Sequence, residues 1–378
     1  MDSIYLDHNA TSLLDPTVGE QLQRDRAESF ANPASQHAAG RRARRLLEEA
    51  REQIKQLLGC ASGDQLIFTS GGSESNYLAI CGGCGAAGAN VVLSAIEHPS
   101  VSAGASYLRS RGIEPRWVPA DRDGRWRIDA LGDQIDARTS LVSLMWANNE
   151  TGVIQPIGEA ARLCRERGVP LHTDAVQAVG RIPVDFRGAD IAALSFTAHK
   201  FHGPRGVGGL IVRDRLALQP VWFPGVAQYG LRPGTEDVVL PRAMWRALAN
   251  WQAESEQRIE RLGRMRDQLE QLLRDHLPEI CIHGSQVARV PQTTCVSFLG
   301  VDRQALLMAA DLEGLAISAG SACASGSSEP SPTLQAMGLP PAEIESAVRL
   351  SFGILNSSQQ LQQAGEKLVQ IVRKLRRN

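Results

Sequence analysis

Between residues 65 and 212 the chain alternates short apolar runs with amphipathic stretches, and this alternation limits the possible folds most. Residues 65–70, 91–96, 140–145, 169–174, 192–197 and 207–212 each read as a buried strand. Residues 156–167 carry the helical pattern of a crossover between two of them. Strands buried on both faces belong to sheets whose covering layers are the connecting helices. The expectation is therefore an α/β fold built on a mostly parallel sheet. In open sheets of this kind ligands bind beyond the carboxyl ends of the strands. The residues that close each run become the candidate site.

Ser195-Phe-Thr-Ala-His-Lys200 closes one run and leads into a Gly-Pro turn. A lysine at such an end can be partly desolvated, which lowers its pKa and frees the amine to form a Schiff base. Taken alone, Lys200 reads equally as a solvated loop cation. Its company decides. Residues 65–70 run into Gly71-Gly-Ser-Glu-Ser-Asn76, which opens a helix. Two glycines and a hydroxyl there make Gly72 and Ser73 a nest for phosphate, because backbone N–H groups and the positive dipole end face the ligand. A plain capped turn would look the same. His98 follows the run 91–96, where an imidazole can stack on an aromatic ligand and move protons near neutral pH, or serve only the loop. Asp174 closes the run 169–174. A carboxylate beside a buried ligand is costly unless it meets a positive charge, and a protonated ring nitrogen supplies one.

A chain of 378 residues is long enough for two domains and a large core. Its net charge of −1 argues against nucleic acid or a membrane surface as the main partner. The start, Met1-Asp-Ser-Ile-Tyr-Leu-Asp, has no basic region and no apolar signal core, and no apolar run suffices for a bilayer. The expected location is the cytoplasm. The seven cysteines show no disulfide rhythm. Cys81-Gly-Gly-Cys84 has metal or redox spacing, but no second close pair completes a zinc site, and no metal is expected.

Outside the alternating region, residues 5–11 read as an extended segment that reaches a crevice, and residues 38–58 as an amphipathic helix. The arginines 41, 42, 44 and 45 lie on its solvated face. One long amphipathic helix carrying Trp245, Leu248, Trp251, Ile259, Leu262 and Met265 leaves the sheet. A smaller α+β unit follows, with strands near 293–299, 315–318 and 347–353 and helices over about 303–313 and at the end. The expected division is a large unit over 15–247 and a small one formed by 1–14 with 248–378. Within the small unit, Ser318-Ala-Gly-Ser-Ala-Cys323-Ala-Ser-Gly is dominated by small residues that bury little apolar area. The expectation is a mobile loop whose cysteine is reactive rather than packed. Arg349 alternates with apolar neighbours on a strand; half-buried, it requires an anion, and a carboxylate fits its fork.

These parts suit one cofactor. A phosphate nest, a flat-stacking histidine, an aspartate for a ring nitrogen, a Schiff-base lysine and a carboxylate-binding arginine are what pyridoxal 5'-phosphate requires when it acts on an amino acid.

The motifs then carry a family resemblance over nearly the whole chain. Tyr5-Leu-Asp-His-Asn-Ala-Thr11, Asn32-Pro-Ala-Ser-Gln-His37, Thr69-Ser-Gly-Gly-Ser-Glu-Ser-Asn76, Glu97-His-Pro-Ser-Val101, Asn148-Asn-Glu150, His172-Thr-Asp-Ala-Val-Gln177, Ser195-Phe-Thr-Ala-His-Lys200, Arg232-Pro-Gly-Thr235, Gly320-Ser-Ala-Cys-Ala-Ser-Gly326 and Arg349-Leu-Ser occur in the family's order. The chain resembles the cysteine desulfurases, pyridoxal-phosphate enzymes of the class V aminotransferase group and fold type I. The resemblance implies a large domain with a mostly parallel, seven-stranded type of sheet, a smaller α+β domain, and a homodimer. It also implies the roles. Lys200 holds the cofactor and shuttles the Cα proton. Asp174 pairs with the ring nitrogen, Gln177 bonds the ring hydroxyl, and His98 stacks on the ring and helps proton transfer. Ser73, Thr197 and His199 hold the phosphate, with Thr235 reaching in from the partner subunit. Asn149 and Arg349 hold the carboxylate of L-cysteine. Cys323 takes the sulfur as a persulfide for an acceptor such as an iron–sulfur scaffold. A selenocysteine lyase or another class V aminotransferase would keep the cofactor pocket; Cys323 is what separates them, since transamination requires no thiol. A non-catalytic binding protein would have no use for the whole set. The chain departs from the family pattern at Phe223-Pro-Gly-Val-Ala-Gln-Tyr229, where a glycine-rich run with a Gln-Glu or His-Glu pair is usual.

Overall fold

The computed structural model describes residues 3–28, 31–214, 216–222, 225–320 and 329–377. Cys323 lies outside the described residues, as do Phe223 and Pro224. The strands in chain order are β1 (Ile4–Tyr5), β2 (Gln65–Thr69), β3 (Asn90–Ser94), β4 (Glu114–Val118), β5 (Thr139–Ser143), β6 (Leu171–Asp174), β7 (Ala193–Thr197), β8 (Gly208–Val212), β9 (Ile280–His283), β10 (Thr293–Phe298), β11 (Leu315–Ala316) and β12 (Ala347–Ser351).

Seven of them form the central sheet in the order β2-β8-β7-β6-β5-β3-β4. All run parallel except β8, which is antiparallel to both β2 and β7. The segment joining β7 to β8 is too short to hold a crossover helix, so the chain must return alongside itself. β8 also passes close beneath the phosphate-nest turn: a Cβ on Gly208 would stand 2.6 Å from the Gly71 carbonyl carbon. Only glycine admits that approach. The outer edge of β2 is capped by Gln228, whose amide accepts from Phe68 N and donates to Phe68 O, both at 2.7 Å. This side chain from the atypical 223–229 stretch substitutes for a pairing strand.

Two strands escape a reading of the sequence. β4 contains proline, arginine and tryptophan in five residues and shows neither an apolar run nor clean alternation. β9 is four residues long and only half-buried over its first three. The single long helix expected after residue 239 is two, Val239–Ala253 and Ser255–His276. Glu254 between them has φ −127° and ψ 17°, outside the helical region. The break lets each half serve a different core. Leu248 and Trp251 pack with the sheet and its helices, whereas Leu262, Met265 and Leu269 pack with β10, β12 and the terminal helix Ser358–Leu375. Ile4 and Leu6 join this second core from the amino end. Leu248, Trp251 and Val290, which the proposed division of 15–247 from 1–14 with 248–378 assigns to the smaller unit, pack into the larger core. Among the described residues, no helix is long and apolar enough to cross a membrane.

The helix Ala38–Leu57 forms as its pattern requires. His37 caps it by accepting from Gly40 N at 3.2 Å, Leu47, Ala50 and Ile54 are buried, and Arg41, Arg42, Arg44 and Arg45 face solvent.

Candidate active site

The carboxyl ends of β3, β5, β6 and β7, the start of the helix Gly72–Gly83, the amino-terminal strap and β12 enclose one cavity of about 220 Å³. It is lined by Gly72, Ser73, His98, Asn149, Asp174, Gln177, Thr197, His199, Lys200 and Arg349, together with Asn9, Ala10, Asn76 and others. Ten of the twelve residues singled out from the sequence thus meet in one place. Thr235 does not: it is exposed and absent from this lining. Cys323 is outside the described residues.

Lys200 ends a short 3₁₀ turn, Ala198–Lys200, that follows β7 directly. Its Nζ donates to Ala10 O at 2.9 Å and to Asn9 O. Burial, reinforced by Arg181 and Arg349, pushes the amine down from its ordinary 10.5 to about 7; Asp174 and Asp7 pull the other way. The turn itself is stitched to the amino-terminal strap. Ser12 donates from N and Oγ to His199 O at 2.8 and 2.7 Å, and Asp15 N donates to His202 O at 3.0 Å. Arg181 donates to Lys200 O at 3.2 and 3.0 Å and to His8 O at 3.2 Å.

The depressed amine makes a stability prediction for the cofactor-free protein. Below about pH 7 both folded and unfolded states carry the Lys200 proton, and burial of the charge weakens the fold fully. From about 7 to about 10.5 the folded state has shed a proton that the unfolded state keeps, so stability rises with pH. Lys200→Met should therefore be more stable than wild type at pH 6, on the order of 2–3 kcal/mol, with the gap closing towards pH 10. Denaturant melts at the two pH values check it, and a gap that widens with pH sinks it.

Asp174 and His98 are tied into one network. Asn76 Nδ2 donates to Asp174 Oδ2 at 2.7 Å and to Ser100 Oγ at 3.0 Å, and Val176 N donates to Asp174 Oδ1 at 3.0 Å. Ser100 N donates to His98 Nδ1 at 3.1 Å, and Ser100 Oγ lies 2.8 Å from the same nitrogen. Because Nδ1 accepts a backbone N–H, the neutral ring carries its proton on Nε2. Burial, with help from Lys200 and Arg349 and against Asp174, lowers the His98 pKa and favours that neutral form. Burial likewise pushes His199 down to about 3, aided by Lys200, Arg181 and Arg205. Glu97, fully enclosed beside this network, accepts from Ser94 Oγ at 2.6 Å and Met145 N at 2.7 Å; burial pushes it up to about 8, so it is neutral at pH 7.

Several observations bear on a cofactor. Gly71, the residue before the helix Gly72–Gly83, has no side chain to cap its first turn, which leaves the N–H groups of Gly72 and Ser73 open to an anion. Gln177 donates to Asn9 O at 3.1 Å while its Oε1 is buried without a partner. Asn76 Oδ1 is likewise buried and unpaired. Thr197 Oγ1 donates to Val207 O at 2.8 Å, so it must release that carbonyl to serve a phosphate oxygen. An unpaired acceptor, an uncapped helix start, a carboxylate and a partly deprotonated amine fit a phosphorylated aromatic aldehyde with a cationic ring nitrogen.

Arg349 stands at the far wall on β12. It is 1 % exposed and donates from Nη1 to Gly320 O and Asn149 O, at 2.6 and 3.0 Å, and from Nη2 to Asp7 Oδ1 at 2.6 Å. Asn9, Asn76, Arg181, Glu97 and Asp7 were not singled out from the sequence. Asp7, Asn9, Asn76 and Glu97 lay inside motifs that were, while Arg181 follows a glycine with no local signal at all.

The Aminotransferase class-V family model matches residues 4–364. The chain belongs to the class-V aminotransferase family. Within it, a cysteine desulfurase of Cereibacter sphaeroides is 38 % identical, over 100 % of this chain and 97 % of its own. The cysteine desulfurase IscS of Dictyoglomus turgidum is 37 % identical over 99 % and 95 %. Among solved structures, the NifS-like protein of Rickettsia africae ESF-5 superposes with a TM-score of 0.89 at 29 % identity, covering 98 % of this chain and 99 % of its own. The central α/β fold and the family both agree with the sequence-based expectation.

Proposed function

We propose that the protein is a cytoplasmic cysteine desulfurase that converts L-cysteine to L-alanine and takes the sulfur as a persulfide on Cys323. The observation that supports this reading best is the meeting of Lys200, Asp174, His98 and Arg349 on one cavity, in a chain whose full-length relatives are cysteine desulfurases.

Pyridoxal 5'-phosphate fits the residues present. Lys200 would hold it covalently, Gly72, Ser73, Thr197 and His199 its phosphate, Gln177 its ring hydroxyl, Asp174 its ring nitrogen and His98 its face. When bound, it supplies an electron-poor ring that stabilises negative charge at the substrate Cα. The remaining chemistry belongs to the chain. Lys200 has its amine poised near neutral pH, so it can take the Cα proton and return it. Arg349 and Asn149 hold the substrate carboxylate, which fixes where Cα lies. The Cys323 thiolate bonds to the substrate sulfur as the substrate C–S bond breaks. The electron pair of that bond stays with carbon, which takes up a proton and leaves as alanine. Sulfur then passes to an acceptor such as an iron–sulfur scaffold protein. The exposed position of Thr235, away from its own cavity, is what a homodimer exchanging that residue requires.

Mass spectrometry after exposure of the holoprotein to L-cysteine tests the reading. One added sulfur atom on the Cys323 peptide, with alanine formed in equal amount, is expected; alanine without that mark refutes it. A second expectation concerns charge. Asp174→Asn keeps the shape but offers no anion to the ring, so turnover should fall about 10²- to 10³-fold. Steady-state alanine formation measures it, and a loss below about tenfold would remove Asp174 from this role.

A further inference from the structure

Arg349 has an internal partner that the reaction itself does not call for. A guanidinium carries five N–H donors. Three are taken here, two from Nη1 by Gly320 O and Asn149 O and one from Nη2 by Asp7 Oδ1. Nε is buried without a partner. What remains is Nε–H and one Nη2 hydrogen, the two donors that a single carboxylate takes. Asp7 is held in place from behind: it bridges to Ser351, the last residue of β12, and its carbonyl accepts from Ala10 N at 3.0 Å and Thr11 N at 3.3 Å. Its carboxylate, 22 % exposed, is the anion ion-paired with this buried cation.

We propose that Asp7 is the resting counter-anion of Arg349 and sets how tightly the site holds the α-carboxylate of its amino-acid substrate. This rests on the reading of Arg349 as the carboxylate holder. A buried guanidinium without an anion is unstable, so Asp7 keeps the empty site intact. The same charge then opposes the incoming carboxylate, because one guanidinium must serve two anions. Asp7 therefore weakens the hold on substrate and product alike, which favours release of alanine.

The test uses two unreactive amines that differ only in the carboxylate, L-alanine and ethylamine, titrated against the holoenzyme by the change in cofactor absorbance. Asp7→Asn keeps an oxygen that accepts from Nη2 and removes the charge. L-Alanine should bind about three- to tenfold more tightly to this variant, the size of one like charge in partly solvated surroundings, and ethylamine as before. Asp7 also raises the pKa of Lys200, but an effect through the amine would move both ligands together. Asp7→Ser, small and neutral, gives the same comparison if the asparagine variant fails to fold. Asp7→Glu restores the charge and should restore the wild-type ratio of the two affinities. A ratio within twofold of wild type in the neutral variants overturns the proposal. Arg349→Gln separates the two levels of the argument. If it collapses the ratio while the Asp7 variants do not shift it, Arg349 holds the carboxylate and Asp7 alone is misassigned; if it leaves the ratio unchanged, the reading beneath both is wrong.

Discussion

Lys200→Ala, loaded with cofactor, should lose turnover of L-cysteine by about 10⁴-fold or more. Two functions disappear with one side chain. The first is covalent attachment. Lys200 Nζ is the amine of the cavity, and burial with Arg181 and Arg349 leaves much of it deprotonated at neutral pH. The second is proton transfer at the substrate Cα, in which His98 helps but does not replace the amine. His98 has its Nδ1 committed to Ser100, and His199 is held neutral with a pKa of about 3. The alanine variant also leaves Asn9 O and Ala10 O without the amine they accept from, so the strap over the cavity loses one of its ties. Ser12, Asp15 and Arg181 still hold the turn to that strap, and the variant should fold. Borohydride treatment followed by peptide mass spectrometry separates attachment from catalysis. Wild type should carry reduced cofactor on the Lys200 peptide and the variant none. Sustained multiple turnover by the alanine variant would remove Lys200 from the centre of the mechanism.

Much of this is legible in the sequence, and the reason is local. Each of β3, β6 and β7 ends at, or within four residues of, the side chain that matters, so strand, end and site lie within one stretch of chain. The parallel sheet then brings those ends to a common edge without further information. What was not legible depends on contacts between distant residues. Asp7 meets Arg349 across 342 positions, and Asn76 meets Asp174 across 98. Arg181 joins Lys200 O to His8 O, and no pattern around it announces this. β4 hid for a different reason: an edge strand with one neighbour tolerates proline and arginine that an interior strand would not. The expected long helix failed at Glu254 because amphipathic periodicity continues through a break when both halves bury a face, and the register alone does not say that the faces serve separate cores.

Cys323→Ser should abolish cysteine-dependent sulfur transfer while leaving substrate binding in place. A serine hydroxyl is of similar size, but it does not accept a sulfur atom and is not ionised near pH 7. Lys200, Asp174, Asn149 and Arg349, which line the cavity, are untouched by the substitution, so the change in cofactor absorbance on adding cysteine should persist. No other thiol among the described residues can take over. Burial pushes Cys60, Cys81, Cys164 and Cys295 up to about 12, and raises Cys84 and Cys281 as well. None of the six lines the cavity. Thiols held that far above neutrality present almost no thiolate at pH 7, and the thiolate is the attacking form. Protein-bound sulfur in wild type should therefore appear on the Cys323 peptide alone, and alanine formation by the serine variant should fall at least about 10³-fold. Alanine produced at near wild-type rate by that variant, or an added sulfur found on Cys84 or Cys281, would show that another acceptor attacks the substrate and that position 323 is not the sulfur carrier.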